Sequence, residues 1–132
     1  MLTWNEALLL RCVLLLSLLL HASIAEARPE TIRAGVSYYS DDFVVSDSVH
    51  DIAGEKNYEE VYQFYSYYEA IYDETDRVVV FVEYRRGEVR RREQYAYGED
   101  GALLTRSIER PGKPPEIIPV EKPVGGGEPE AP

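Results

Sequence analysis

The chain has 132 residues, 45% of them hydrophobic, and a formal charge of −10 from 14 Lys and Arg against 24 Asp and Glu. That length allows one small domain with tails and a core of modest size. Net acidity argues against nucleic acid and anionic membrane surfaces as partners, because both repel a negative field.

The first segment reads as a targeting sequence. Leu8 to Leu20 is almost wholly aliphatic, Arg11 precedes its densest part, and two small-x-small sites follow, Ser23-Ile-Ala25 and Ala25-Glu-Ala27. Residues 1–27 are therefore expected to be a cleaved signal peptide, and the protein to be exported to the periplasm or the extracellular space. The apolar run is short for a spanning helix and is broken by Arg11 and His21, so no stable membrane insertion is expected after cleavage. Cleavage would also remove Cys12, the single cysteine, leaving packing without disulfides to hold the domain.

Residues 28–57 mix short apolar pairs with Asp and Ser, which predicts a short N-terminal strand region around Val36 to Tyr39 and Phe43 to Val45. The next stretch, "YEEVYQFYSYYEAIYDETDR" from Tyr58, holds six of the chain's 11 tyrosines. It fits two periods. As a helix over 57–73, Asn57 would cap with Glu60 three residues on, and the apolar residues would fill half the wheel. As a strand, the aromatic and β-branched content is favourable, and Tyr72 matches a strand end 25 residues later.

That match is part of an internal repeat. A shift of 25 residues places Tyr72-Asp73-Glu74 on Tyr97-Gly98-Glu99, Val78-Val79 on Leu103-Leu104, Arg85 on Arg110 and Gly87 on Gly112. Each unit reads as strand, acidic turn, strand and Gly turn. The fold class expected is mainly β, an antiparallel meander of about four strands at roughly 60–73, 77–85, 88–97 and 102–109; the alternative is α+β with 57–73 helical. The pattern Tyr-Asp-x-x-x-Arg with its hydrophobic run, then Gly-Glu-Val, then Tyr-x-Tyr-x-x-Asp-Gly-x-Leu, resembles the YD-type repeats of secreted Rhs proteins and related short β-repeats in small bacterial proteins. The resemblance covers residues 67–112, with two units and with Asp76 where a Gly is usual. It implies antiparallel meanders that bind or enclose and carry no catalytic centre.

Turns at 73–76 and 86–87 set a trial register. Strict alternation then puts Tyr65, Tyr67, Ile71, Val78, Val80, Val82, Tyr84, Val89, Tyr95 and Tyr97 on a core face. The other face carries Tyr62, Phe64, Tyr68, Val79 and Phe81 beside Arg90 and Arg92. Tyr62, Phe64, Tyr68, Phe81, Arg90 and Arg92 are accordingly the expected binding surface, since Tyr and Arg combine apolar area with hydrogen-bonding tips suited to a sugar or an acidic peptide.

"RRGEVRRR" is read as a hairpin and not as a nucleic-acid patch, with Glu83 and Arg90 as a cross-strand pair. The acids Asp41, Asp42, Asp47 and Asp51 with His50 lack metal-ligand spacing, so no metal and no cofactor is expected. With His50 as the one mature histidine and no nucleophile motif, no catalytic residue is assigned. The expected function is a non-enzymatic exported module that binds a protein or glycan partner, associates with itself, or builds an envelope assembly. A small hydrolase using Asp41 and Asp47 is the alternative. From Pro111 onward, seven prolines and a Gly triplet predict a disordered tail over 111–132, so the domain is expected to span 28–110.

Overall fold

A computed structural model describes residues 28–120, so the expected signal peptide and the end of the expected tail lie outside the described residues. The chain is mainly β, with strands β1 (Ser37–Ser40), β2 (Phe43–Ser46) and β3 (Val49–Ile52) preceding one helical turn, α1 (Tyr58–Val61). Strands β4 (Ser66–Tyr72), β5 (Val78–Arg85), β6 (Glu88–Tyr97), β7 (Leu103–Glu109) and β8 (Glu116–Pro119) follow. All pairs are antiparallel, in a six-stranded sheet of order β1-β4-β5-β6-β7-β8 with β2–β3 as a separate hairpin.

The meander strands follow the turn chemistry. Asp73 Oδ1 accepts the backbone N–H groups of Thr75 and Arg77 and the Thr75 hydroxyl, while Asp76 takes a positive φ of 61° to close the β4–β5 turn. One repeat later, Asp100 Oδ1 accepts the Ala102 N–H, and Gly101 holds φ 80°. The turn hydrogen bonds superpose as well: Asp73 N–H to Arg77 O (2.9 Å) corresponds to Gly98 N–H to Ala102 O (2.8 Å). Two-residue loops with positive φ at both positions, Asp47-Ser48 and Arg86-Gly87, close β2–β3 and β5–β6, as the right-handed strand twist favours.

Two expected boundaries are corrected. The strand expected from residue 60 starts at Ser66, because Asn57 accepts the Glu59 N–H on its side chain (3.0 Å) and starts a helical turn that ends within four residues. The helical alternative over 57–73 therefore holds only for that turn. The tail expected from Pro111 instead opens with a Pro-Gly turn, in which Lys113 N–H bonds Arg110 O, and then β8 pairs with β7 from Ile108↔Glu116 to Thr105↔Pro119. The unpredicted strand β3 pairs with β2.

Bulges overturn the expected division of faces. Opposite Ile71–Tyr72 the partners are Val80 and Val78, so Val79 is extra; Leu104 is extra opposite Ala96–Tyr97, at the equivalent place in the repeat. Arg90 is extra opposite Glu83–Tyr84. Each added residue reverses the inward and outward alternation, so Val78 and Phe81 face one side together and Val80 and Val82 the other. The core forms where β2–β3 packs on the sheet, from Tyr38, Ile52, Ala70, Tyr72, Val78, Phe81 and Tyr95, with Phe43, Val49, Tyr68, Tyr97 and Leu103 packed against it. Tyr67 is buried on the opposite face, stacked on Tyr84 with ring centroids 4.7 Å apart.

A polar knot ties the hairpin to the sheet. Glu93, wholly buried, accepts the Tyr95 hydroxyl at 2.5 Å and has His50 Nδ1 at 3.2 Å. Arg91 Nε lies 3.3 Å and Arg106 Nε 3.5 Å from its oxygens. A second tie joins Asp51 to the Tyr72 hydroxyl and to Arg28 Nε.

Candidate functional site

The six expected binding residues do not form one surface. Phe81 is fully buried, in ring contact with Phe43, His50 and Tyr68. Tyr68 packs on Phe43 with centroids 4.8 Å apart, beneath the hairpin. Both belong to the core, because β4 alternation places Tyr68, Ala70 and Tyr72 on the side that β2–β3 covers. Tyr62 and Phe64 are exposed, as are Arg90 and Arg92.

What the structure does bring together is an aromatic and cationic patch at the β5–β6 end of the sheet. The four residues after α1 turn back toward β5, where the Tyr65 carbonyl accepts the Arg86 N–H (2.8 Å). This anchor holds the Tyr65 ring beneath the Arg86 guanidinium, 5.2 Å from its centroid, and brings the Tyr62 ring beside Gly87. Tyr62 and Tyr65 remain 59% and 58% exposed, and Tyr58 and Phe64 are also exposed. Tyr65, Arg85, Arg86, Glu88 and Arg90 line a cleft of about 370 Å³. Tyr65, Arg85 and Arg86 were not among the expected site residues. The legible signal was the two-residue Arg86-Gly87 loop, which ends β5 at Arg85, opposite Ser66 at the start of β4.

Charge is distributed unevenly around this patch. Arg85 lies 3.8 Å and Arg91 3.6 Å from Glu83, so each has a carboxylate. Among the described residues, Arg86, Arg90 and Arg92 have none within ion-pair distance, despite the excess of acids in the chain. The expected Glu83–Arg90 pair is replaced by Glu83–Arg91, because the bulge shifts the register by one residue.

A larger cleft of about 650 Å³ lies between β2–β3 and the two acidic turns. Its guanidinium groups are already balanced, Arg28 by Asp51 and Arg77 by Asp73 at 2.9 Å, and Arg77 also covers the Tyr97 ring. The acids Asp41 and Asp47 stand at opposite ends of β2, roughly 15 Å or more apart at strand rise. Carboxylate pairs that hydrolyse glycosides sit within about 10 Å of each other. Asp41 instead faces Lys56 at 3.7 Å. No group of three or more His, Cys, Asp or Glu among the described residues is arranged to hold a metal ion.

No protein-family model, curated protein or solved structure matches the chain.

Proposed function

We propose that this protein is an exported, non-enzymatic binding module that grips an acidic segment of a partner protein through Tyr62, Phe64, Tyr65, Arg86 and Arg90. The observation that carries the reading is the coincidence of exposed aromatic rings with Arg86 and Arg90, which have no carboxylate within ion-pair distance among the described residues, in a chain where carboxylates outnumber cations. Rings of this kind supply apolar area at low entropic cost, and free guanidinium groups supply paired donors for carboxylates. The aliphatic N-terminal segment and its two small-x-small sites support export to the periplasm or outside the cell. The resemblance to YD-type repeats supports a β-scaffold whose surface, and not a catalytic centre, does the work.

Titration with a peptide of alternating Glu and Tyr, followed by tyrosine fluorescence, tests the patch. The expected result is saturable binding that weakens as salt rises and is lost in an Arg86→Glu, Arg90→Glu double variant. Equal affinity in the double variant would sink the reading, as would an intact mass for envelope-fraction protein that still includes residues 1–25.

A further inference from the structure

The sheet face opposite the hairpin holds a carboxylate of unusual standing. Glu69 is 9% exposed and makes no ion pair with Lys, Arg or His among the described residues. It accepts the Ser37 hydroxyl on one oxygen and the Tyr84 hydroxyl, at 2.6 Å, on the other. Two hydroxyl donors leave the second lone pair of each oxygen open and do not neutralise the charge. A carboxylate taken from water in this way is costly unless a cation completes it.

The surroundings suit a cation. Tyr39 is directly across from Glu69 on β1, and Tyr67 and Tyr84 stack beside it. Tyr58 closes the group from α1, with its ring 4.9 Å from that of Tyr39. Burial first, and then Glu69, by its charge at Tyr39 and by its hydrogen bond at Tyr84, push the two hydroxyls up, so the phenols stay neutral with their ring faces electron-rich. Ser37, Tyr39 and Tyr58 line a cleft of about 420 Å³ together with Glu55, Lys56 and Asn57, and the Ser37 hydroxyl links this cleft to Glu69. Lys56, at the rim, is drawn off by Asp41 and Glu60 at 3.7 and 3.6 Å.

We infer that Ser37, Glu69 and the tyrosines Tyr39, Tyr58 and Tyr84 form a binding site for a primary ammonium group, such as a lysine side chain or a small amine. The ammonium would donate to the open lone pairs of Glu69 while its methylene stem lies on the Tyr39 and Tyr58 rings. The site is separate from the arginine patch, and its test does not depend on that reading.

The test is an NMR titration of the protein with n-butylammonium, with n-butanol as the neutral analogue of the same shape. Saturable shifts at Tyr39, Tyr58 and Tyr84 are expected for the amine and not for the alcohol. Glu69→Gln keeps an acceptor for the buried hydroxyls and should weaken binding by at least about tenfold, and Tyr39→Leu should weaken it at unchanged fold. Equal response to amine and alcohol, undiminished binding by Glu69→Gln, or shifts confined to other residues would each overturn the site. Tighter binding of tetramethylammonium than of n-butylammonium would overturn the primary-amine assignment.

Discussion

Six tyrosines lie within fifteen residues, and each has a different surrounding. Tyr58, Tyr62 and Tyr65 lie in or just after the α1 turn and stay exposed; Tyr67 stacks on Tyr84; Tyr68 packs on Phe43; Tyr72 is buried against Asp51 and Tyr38. The neighbours Tyr67 and Tyr68 are both structural, on opposite faces of β4. Tyr67→Ala removes a fully packed ring and is expected to cost roughly 3–5 kcal/mol in urea melts. Tyr68→Ala, half-buried, is expected to cost on the order of 2 kcal/mol. Tyr62→Ser should stay within about 0.5 kcal/mol of the parent. A stable Tyr68→Ala variant would contradict the packing of β2–β3 on this face.

At the scale of elements, the two ends of the sheet are treated differently. On the outer side of β1, the Tyr39 carbonyl accepts the Lys56 N–H at 2.8 Å, so the segment leading into α1 partly covers that edge. β7 would present its full length to solvent without β8, which satisfies it from Leu104 to Ile108. An uncovered β edge is a template for pairing with another chain. Relative to a chain ending at Val120, a chain ending at Arg110 is expected to melt at least about 5 °C lower and to associate as its concentration rises. Identical melting curves would show that β8 contributes nothing to the sheet.

Across the whole molecule, stability rests on charge as well as on apolar burial. Burial alone would push Glu93 up, but hydrogen bonds from His50 and Tyr95 and the nearby charges of His50 and Arg106 outweigh it and hold the carboxyl at about 2, against an ordinary 4.5. Burial likewise opposes the donors from Arg77 and Thr75 that hold Asp73 at about 2, against 3.8. Both groups are lowered in the folded state, so the stability they contribute is complete above the unfolded values and is lost as pH falls from about 4.5 toward 2. Melting temperature is expected to be level near neutrality and to fall across that window, with a shallower fall in Glu93→Gln. An unchanged acid profile in that variant would remove Glu93 from the account.

Local chemistry alone determined much of this molecule. The acidic turns, the Arg-Gly loop and the 25-residue repeat predicted β5, β6 and β7 to within a residue or two, because turn residues and side-chain alternation act over a few positions. The Asn57 cap was also legible, although the strand propensity of the tyrosines argued against it. Which face became the core could not be read from alternation, because the extra residues Val79, Arg90 and Leu104 are defined only by the partner strand each lacks. β8 was hidden because a Pro-rich segment has little drive to order until β7 offers it an edge. The same holds for both polar clusters. Glu93 meets His50 across 43 residues and Glu69 meets Ser37 across 32, and only the tertiary fold brings groups so distant in sequence within hydrogen-bond reach.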